Sequence, residues 1–302
     1  MTKIVYYLSP SSFCFGVKRS IDELNKITQK HLGEKIFCIH SLVHNPKVTK
    51  EFQNKGIKFV ENINEVKDLD SIIIFSAHGT NRVIIDYAIK NFKAVYNLEC
   101  PFVTKIYREI DYSIEQGINT FFYIGKPLHQ EGKNVLDYAS YKGANIYVFQ
   151  TKEDIPNIDK QKTFSVLSQT TLNFQYVEKI FDQIKDIYPN AKFNSVSDIC
   201  KATYERQTVV LQNLNKFDSF IVIGGKDSNN TKELYNIGIE NGKKTFYGES
   251  LNEILLYGKD NLLFDKRIAI TGGASTPVGD INEVFDFYKN NGYKPQIIKL
   301  KD

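Results

Sequence analysis

Residues 219–230, SFIVIGGKDSNN, contain the pattern that decides the fold: an apolar run that passes directly into a polar, glycine-rich loop. Six other short apolar runs end in small or polar residues in the same way, namely KIVYYL (3–8), KIFCIH (35–40), SIIIFSA (71–77), TFFYIG (120–125), FSVLS (164–168) and RIAITGG (267–273). Between the runs lie amphipathic stretches with apolar residues three and four positions apart, such as NFQYVEKIFDQIKDI (173–187). This alternation predicts an α/β protein in which helices join buried parallel strands.

Three cysteines each open a helix-like stretch, and two polar loops follow each of them along the chain. The stretches are CFGVKRSI (14–21), CPFVTKIY (100–107) and CKATYERQ (200–207). The loops, in chain order, are SLVHNP with His44, SAHGT with His78, GKPLHQE with His129, SQTTL with Thr170, GGKDSNN with Ser228 and GGAST with Ser275. In the first loop after each cysteine, the named residue (His44, His129 or Ser228) lies 30, 29 or 28 positions after Cys14, Cys100 or Cys200, respectively. A period of about one hundred residues predicts three related α/β units, although the spacing could also be a coincidence.

We predict units at residues 1–98, 99–197 and 198–302, the last with a C-terminal strand, in a pseudo-threefold cloverleaf. In parallel sheets, functional groups gather on loops beyond the carboxyl ends of the strands. Packing about a common axis would therefore bring the three cysteines and the six loops to one central site.

The composition limits the partners and the compartment that we expect. The 302-residue chain has a formal net charge of +4, and its basic residues are scattered rather than clustered, so we expect no nucleic-acid partner. No run approaches the ~18 apolar residues of a membrane span, and the start MTKIVYYLSP lacks the pattern of a secretory signal. We expect a cytoplasmic protein without a membrane partner. Four cysteines are too few for a disulfide scaffold.

Cys14, Cys100 and Cys200 are candidate ligands of a metal or cluster, because thiols in a reducing compartment are core residues, ligands or nucleophiles. Structural zinc sites usually have close cysteine pairs and four ligands, which these positions lack. Three cysteines can hold a [4Fe–4S] cluster that keeps one iron free to act as a Lewis acid. Three unrelated core cysteines are the alternative. Cys38, within KIFCIH, is predicted to be a core residue.

The six loops contain side chains that can donate hydrogen bonds to a small, highly charged anion such as a diphosphate. They are His44, His78, His129, Ser228, Asn229, Asn230 and Ser275. The sequence has no phosphate loop of the GxxxxGK[ST] type, but GGKDSNN and GGAST could present N–H groups at helix N-termini. Helix capping is the alternative role of such loops.

Glu131 lies two residues after His129 and is a candidate general acid, because burial would raise its pKa. A solvated loop carboxylate is the alternative. Thr170 could relay a proton or orient a substrate hydroxyl.

Nine motifs between residues 13 and 285 resemble, in order, those of the 4-hydroxy-3-methylbut-2-enyl diphosphate reductase family: FCFGVKRSI, LVHNP, FSAHGT, CPFVTK, IGKPLHQEG, SQTTL, DICKATYERQ, KDSNN and GGAST. The resemblance implies a cloverleaf of three α/β domains. It also implies the last step of the methylerythritol phosphate pathway, a reductive dehydroxylation that gives isopentenyl and dimethylallyl diphosphate. The implied cofactor is one [4Fe–4S] cluster per chain, and the implied electron donor is ferredoxin or flavodoxin.

The same resemblance implies roles for individual residues. Cys14, Cys100 and Cys200 would hold the cluster. Glu131 would deliver protons beside His129, and Thr170 would contact the substrate hydroxyl. The diphosphate would be bound by His44, His78, His129, Ser228, Asn229, Asn230 and Ser275.

Two stretches depart from the family pattern. The loop of the second unit usually reads GHPEV, whereas this chain has LHQEG at 128–132. The loop of the third unit usually has two adjacent serines, whereas this chain has Ser228 and Asn229. Two other functions stay open: a cluster-dependent hydro-lyase, which would need no reductant, and a zinc- or cluster-stabilised binding protein without catalysis.

Overall fold

The computed structural model describes residues 2–193 and 198–300, and in these ranges the chain forms thirteen strands and eleven α-helices. The strands are β1 (Ile4–Ser9), β2 (Ile36–Ile39), β3 (Lys58–Val60), β4 (Ile72–Phe75), β5 (Ala94–Asn97), β6 (Thr120–Ile124), β7 (Asn145–Phe149), β8 (Phe164–Ser168), β9 (Ala191–Phe193), β10 (Ser219–Ile223), β11 (Lys244–Gly248), β12 (Arg267–Gly272) and β13 (Lys294–Lys299). The helices are α1 (Phe15–Lys30), α2 (Pro46–Asn54), α3 (Arg82–Asn91), α4 (Pro101–Glu115), α5 (Gln130–Tyr141), α6 (Phe174–Ile187), α7 (Lys201–Leu211), α8 (Asn229–Glu240), α9 (Leu251–Leu255), α10 (Lys259–Leu262) and α11 (Val278–Asn290).

The strands form three sheets with corresponding strand orders. These orders are β3-β2-β4-β5, β7-β6-β8-β9 and β11-β10-β12-β1-β13, and every strand pair in the described ranges is parallel. The N-terminal strand β1 takes the place in the third sheet that β5 and β9 take in the other two. Each of these three strands is the last one before a cysteine: Cys14, Cys100 or Cys200. The prediction of an α/β fold with parallel sheets is therefore confirmed, and the threefold pattern recurs in the topology.

The predicted unit boundaries differ from the sheet membership at the first strand. Val5 pairs with Ile268 of β12 and Pro295 of β13, so β1 belongs to the sheet of the C-terminal third rather than to the range 1–98. Its apolar side chains need an interior position, which that sheet provides between two neighbours. The boundary between 197 and 198 lies at the edge of residues 194–197, which are outside the described residues. Division of the chain at 98 and 197 stays a prediction.

Two compact units are distinguished along the chain. One comprises Met1–Lys18, His44–Pro46 and Lys201–Asp302, and it contains the five-stranded sheet. The other comprises Arg19–Val43 and Lys47–Cys200, and it contains the two four-stranded sheets. Among the helices of the described ranges, none is both long and apolar enough to span a bilayer.

Helices cover both faces of the interior strands, which explains their continuous apolar sequences. In β6, Phe121 belongs to the core cluster that includes residues of α4 and α5, whereas Phe122 belongs to the cluster that includes residues of α6. A strand buried on both faces has no solvent side on which polar residues are favoured. The loops that follow these interior strands contain the polar candidates: His44 after β2, His78 after β4, His129 after β6, Thr170 after β8, Ser228 after β10 and Ser275 after β12.

Candidate active site

The three candidate cysteines occupy equivalent positions at the N-termini of helices. Cys14 and Cys200 directly precede α1 and α7, and Cys100 is the N-cap residue of α4. All three are partly exposed, and the Sγ of Cys14 accepts a hydrogen bond of 3.4 Å from the N–H of Val17. The partial positive charge at a helix N-terminus favours a thiolate, which is the ligand form of cysteine. Each position is therefore suited to metal or cluster ligation.

The backbone of each cysteine is also anchored in the same way. In every case the cysteine N–H donates to a carbonyl oxygen in a loop that follows an interior strand. The pairs are Cys14 with Ala274 (2.9 Å), Cys100 with Ala77 (3.0 Å) and Cys200 with Thr170 (3.0 Å). These carbonyls belong to GGAST, SAHGT and SQTTL, the three loops that the sequence pattern places in equivalent positions. The three cysteines, which the sequence spacing predicts to be equivalent, therefore make the same kind of backbone hydrogen bond.

Cys38 is a core residue, as predicted. It lies in β2 with no exposed surface, and burial raises the pKa of its thiol to about 12. Within residues 2–193 and 198–300, no three His, Cys, Asp or Glu side chains form a group that could hold a metal ion. The assignment of Cys14, Cys100 and Cys200 as ligands stays a prediction.

Two of the anion-binding candidates are joined within the unit of the five-stranded sheet. The hydroxyl of Ser275 donates to the carbonyl of His44 at 3.1 Å, and the amide of Asn45 donates to the carbonyl of Ser275 at 2.9 Å. A Cβ on Gly225 would collide with the His44 carbonyl oxygen, so the loop after β10 also packs closely against His44. Burial lowers the pKa of His44, which favours the neutral imidazole.

The start of α8 contributes three further candidates, all of them buried. Ser228 is the N-cap residue, and its Oγ accepts a hydrogen bond of 3.3 Å from the N–H of Thr231. Asn230 donates to the hydroxyl of Thr203 at 3.0 Å and accepts from the N–H of Ala274 at 3.0 Å. Ser228 therefore caps α8, which is the alternative role that the sequence allowed for this loop. Its own O–H can still donate a hydrogen bond to a ligand. Asn229, the first residue of α8, is buried as well.

Glu131 and Thr170 form a tight buried pair within the other unit. One carboxylate oxygen, Oε1, accepts from the Thr170 N–H at 2.7 Å, and the other accepts from the Thr170 hydroxyl at 2.8 Å. The Tyr123 hydroxyl lies 3.4 Å from Oε1. Burial raises the pKa of Glu131 to about 7, although the bonds from Thr170 act in the opposite direction. Glu131 is thus a buried acid in the first turn of α5, not a solvated loop carboxylate.

His129 is fixed next to this acid as the N-cap residue of α5. Its Nδ1 accepts a hydrogen bond of 3.2 Å from the N–H of Glu131. An accepting Nδ1 leaves the ring proton of neutral His129 on Nε2, which can donate to a ligand. His78 lies in the same unit, and its carbonyl accepts from the amide of Asn134 at 3.1 Å. His78, His129, Glu131 and Thr170 are therefore linked through α5.

Sequence reasoning missed three residues that support the candidates. Asn45 lies within LVHNP and could have been considered with His44. Tyr123 is a hydroxyl-bearing residue in a strand of continuous apolar character after Thr120, which is a signal for a buried hydrogen bond. Asn134 gives no local signal, because its partner is 56 positions away along the chain.

Comparison with known proteins gives consistent matches over nearly the whole chain. The family model described as LytB protein matches residues 5–289. A protein of Buchnera aphidicola subsp. Acyrthosiphon pisum, named 4-hydroxy-3-methylbut-2-enyl diphosphate reductase, is 33% identical over 293 residues, or 95% of this chain and 89% of the relative. A protein of the same name from Wolbachia pipientis is 31% identical over 285 residues, or 93% and 90% of the two chains.

A solved structure has a closely similar fold. It is the E-1-hydroxy-2-methyl-but-2-enyl-4-diphosphate reductase from Plasmodium falciparum, with a TM-score of 0.91 and 26% sequence identity. The match covers 99% of this chain and 92% of the Plasmodium chain.

Proposed function

Because the chain belongs to the LytB protein family, we propose that it reduces 4-hydroxy-3-methylbut-2-enyl diphosphate to isopentenyl and dimethylallyl diphosphate. The reaction breaks the C–O bond of the terminal hydroxyl. It consumes two electrons and two protons, of which one proton leaves with the hydroxyl as water and the other is added to carbon. The chain is an oxidoreductase of the non-mevalonate pathway, in which this is the terminal step.

The buried pair of Glu131 and Thr170 is the observation in the structure that most strongly supports this chemistry. Cleavage of an alcohol C–O bond needs a proton donor at the leaving oxygen. Glu131 can hold a proton near neutral pH, because burial raises its pKa to about 7. In the proposed reaction, Glu131 protonates the leaving hydroxyl and Thr170 holds the carboxyl group in place. His129 donates from Nε2 to the substrate.

The three cysteines fit the iron–sulfur cluster that the family resemblance implies. Their sulfurs are soft donors, and the helix N-termini favour the thiolate that a cluster requires. We propose one [4Fe–4S] cluster per chain, with Cys14, Cys100 and Cys200 as its protein ligands. When bound, such a cluster supplies single electrons and a Lewis-acidic iron.

The diphosphate requires several donors, because it carries a high charge on a small volume. We propose that it is bound by residues that can donate through imidazole, hydroxyl or amide groups: His44, His78, His129, Ser228, Asn229, Asn230 and Ser275. The hydrogen bonds among the loops of His44, Ser275 and Asn230 hold these groups before substrate arrives. The N-terminus of α8 adds a partial positive charge.

The electrons come from a protein donor in this proposal. The sequence has no nicotinamide- or flavin-binding fingerprint. Ferredoxin or flavodoxin, in the cytoplasm, is the proposed reductant.

Product analysis tests the proposed function. Anaerobically reconstituted protein is incubated with a chemical reductant and 4-hydroxy-3-methylbut-2-enyl diphosphate, and the products are separated by mass spectrometry. We expect both five-carbon diphosphates in the presence of reductant only. A product formed without reductant would instead indicate a hydro-lyase, and unchanged substrate would indicate a binding protein.

Removal of the Ser275 hydroxyl is expected to weaken substrate binding more than chemistry. Ser275→Ala removes a donor and leaves the His44 carbonyl without the 3.1 Å bond. A hydrogen bond to a charged group contributes about 1.5–3 kcal/mol, so we expect KM to rise about tenfold or more with kcat changed less than about threefold. The matched control is Thr276→Val, which removes a hydroxyl that donates to the Ile223 carbonyl at 3.0 Å. An equal change of KM in both variants would contradict a role of Ser275 in binding.

A further inference from the structure

Two side chains in the first turns of α5, Gln130 and Asn134, connect this helix to the backbone of His78. Gln130 is the first residue of α5, and its amide nitrogen donates to the Oδ1 of Asn134 at 3.0 Å. The Nδ2 of Asn134 in turn donates to the carbonyl of His78 at 3.1 Å. Because Oδ1 accepts from Gln130, the amide orientation that directs Nδ2 at His78 is the one that satisfies both contacts.

The residue after His78 is packed against three polar side chains of the same unit. Gly79 has a φ of +85°, and a Cβ there would lie 2.5 Å from the Oε1 of Glu99 and 2.7 Å from the Tyr107 hydroxyl. It would also lie 3.3 Å from the Nδ2 of Asn134. Glu99, Tyr107 and Asn134 are all buried, so the backbone of His78 and Gly79 has little freedom to move on this side.

Glu99 is itself held in place. Its Oε2 accepts from the Thr104 hydroxyl at 3.0 Å, and its carbonyl accepts from Arg19 at 3.0 Å. Glu99, one part of the wall against which Gly79 packs, is therefore fixed by contacts independent of α5. Asn134 is the only one of the three polar neighbours of Gly79 that lies on the helix with His129 and Glu131.

We propose that Asn134, oriented by Gln130, is a positioning residue that sets His78 relative to His129 and Glu131. Asn134 lies three residues after Glu131 and five after His129, so its bond to the His78 carbonyl connects three candidate residues through one helix. Displacement of a binding group by about 1 Å can lower turnover by about 100-fold, so such a contact affects catalysis without touching substrate. This inference rests on the substrate-binding role proposed for His78.

A double-mutant cycle separates positioning from general stability. Asn134→Ala is expected to lower kcat/KM about tenfold when His78 is present and less than about twofold in the His78→Ala background, because the effect passes through His78. Equal losses in both backgrounds would overturn the proposal. Wild-type kcat/KM in His78→Ala would also overturn the positioning proposal, but it would not contradict the proposed reductase function.

A matched control and a milder variant show whether a loss of activity comes from lost positioning or from a loss of folding. Asn119→Ala removes an amide that donates to another backbone carbonyl, that of Gly143, at 3.2 Å, and it is expected to leave kcat/KM unchanged. Gln130→Ala changes a partly exposed side chain and is expected to lower kcat/KM about threefold, again only when His78 is present. An effect of Gln130→Ala that persists without His78 would overturn the proposal.

Amide hydrogen exchange tests the contact between Asn134 and the His78 carbonyl in the absence of substrate and cluster. Asn134→Ala is expected to accelerate amide exchange in residues 76–81, and Asn119→Ala is not. Unchanged exchange in this loop would overturn the positioning role whether or not the wild type reduces the substrate. Absence of turnover in the wild type, with the accelerated exchange present, would instead count against the proposed function alone.

Discussion

Replacement of Cys100 by serine is expected to reduce turnover to less than about 1% of wild type, because in the proposed reaction the electrons from the donor pass through the cluster that Cys100 would hold. Cys100 caps α4, and its N–H is held by the Ala77 carbonyl, so serine can occupy the same backbone position. The helix should therefore persist while a soft thiolate ligand is lost. Iron and sulfide content, visible absorption and substrate reduction are measured after anaerobic reconstitution.

Cys38→Ala is the matched control for the cysteine substitution. Cys38 is fully buried in β2, and its raised thiol pKa disfavours the thiolate form. We expect full iron content and wild-type turnover in this variant, with a small loss of stability. Wild-type iron content in Cys100→Ser, or loss of the cluster in Cys38→Ala, would contradict the proposed ligand set.

Glu131→Gln is expected to lower kcat by about 100- to 10,000-fold, which is the usual contribution of a positioned proton donor. Glutamine keeps the size of the side chain but cannot donate an acidic proton. It also places an amide group where the carboxylate accepts two bonds from Thr170, so the bond to the threonine hydroxyl must reverse, with the hydroxyl accepting from the amide N–H. Iron content should be unchanged, and Glu178→Gln, at an exposed position of α6, should have wild-type kcat. Undiminished turnover in Glu131→Gln would remove Glu131 from the mechanism.

The raised pKa of Glu131 also predicts the direction of the pH dependence. The protonated carboxyl is the active form, so kcat is expected to be highest below the pKa of about 7 and to fall as pH rises through it. This descending limb should be absent in the residual activity of Glu131→Gln. Because folding raises the pKa above the ordinary value of 4.5, the same group lowers the stability of the protein as pH rises from 4.5 to about 7.

The sequence predicted the interior strands and, among the edge strands, only the C-terminal one. The seven apolar runs correspond to β1, β2, β4, β6, β8, β10 and β12, each of which has a neighbour on both sides. The edge strands of the described sheets are shorter or partly exposed. In β9, for example, which has three residues, none is buried. Mixed polarity in a short edge strand gives neither an apolar run nor a clear alternation, so sequence patterns do not identify it.

Helices α5 and α8 have a weak helical pattern in their first turns for a related reason. Both begin with polar residues, including Glu131 in α5 and Asn229 in α8, and these first turns lack the apolar spacing of a helix. The helical periodicity appears only later, in residues such as Val135 and Leu234. The polar turns are at helix N-termini because that is where backbone N–H groups are available to a ligand.

The candidate residues could be found from motifs, but their partners could not. The Cys100 contact with Ala77 and the Asn134 contact with His78 join segments that are far apart in sequence. Gln130 departs from the family pattern and Asn134 lies beyond the compared loop, and only the fold places Asn134 beside His78. Such contacts depend on which loops the sheets bring together, and this cannot be predicted from the residues of either loop alone.

The most direct test of the proposed function is the anaerobic oxidation of reduced viologen by cluster-reconstituted protein, with and without 4-hydroxy-3-methylbut-2-enyl diphosphate. We predict oxidation that depends on the substrate and is absent in Cys200→Ser. No oxidation despite an intact cluster would contradict the reductase function.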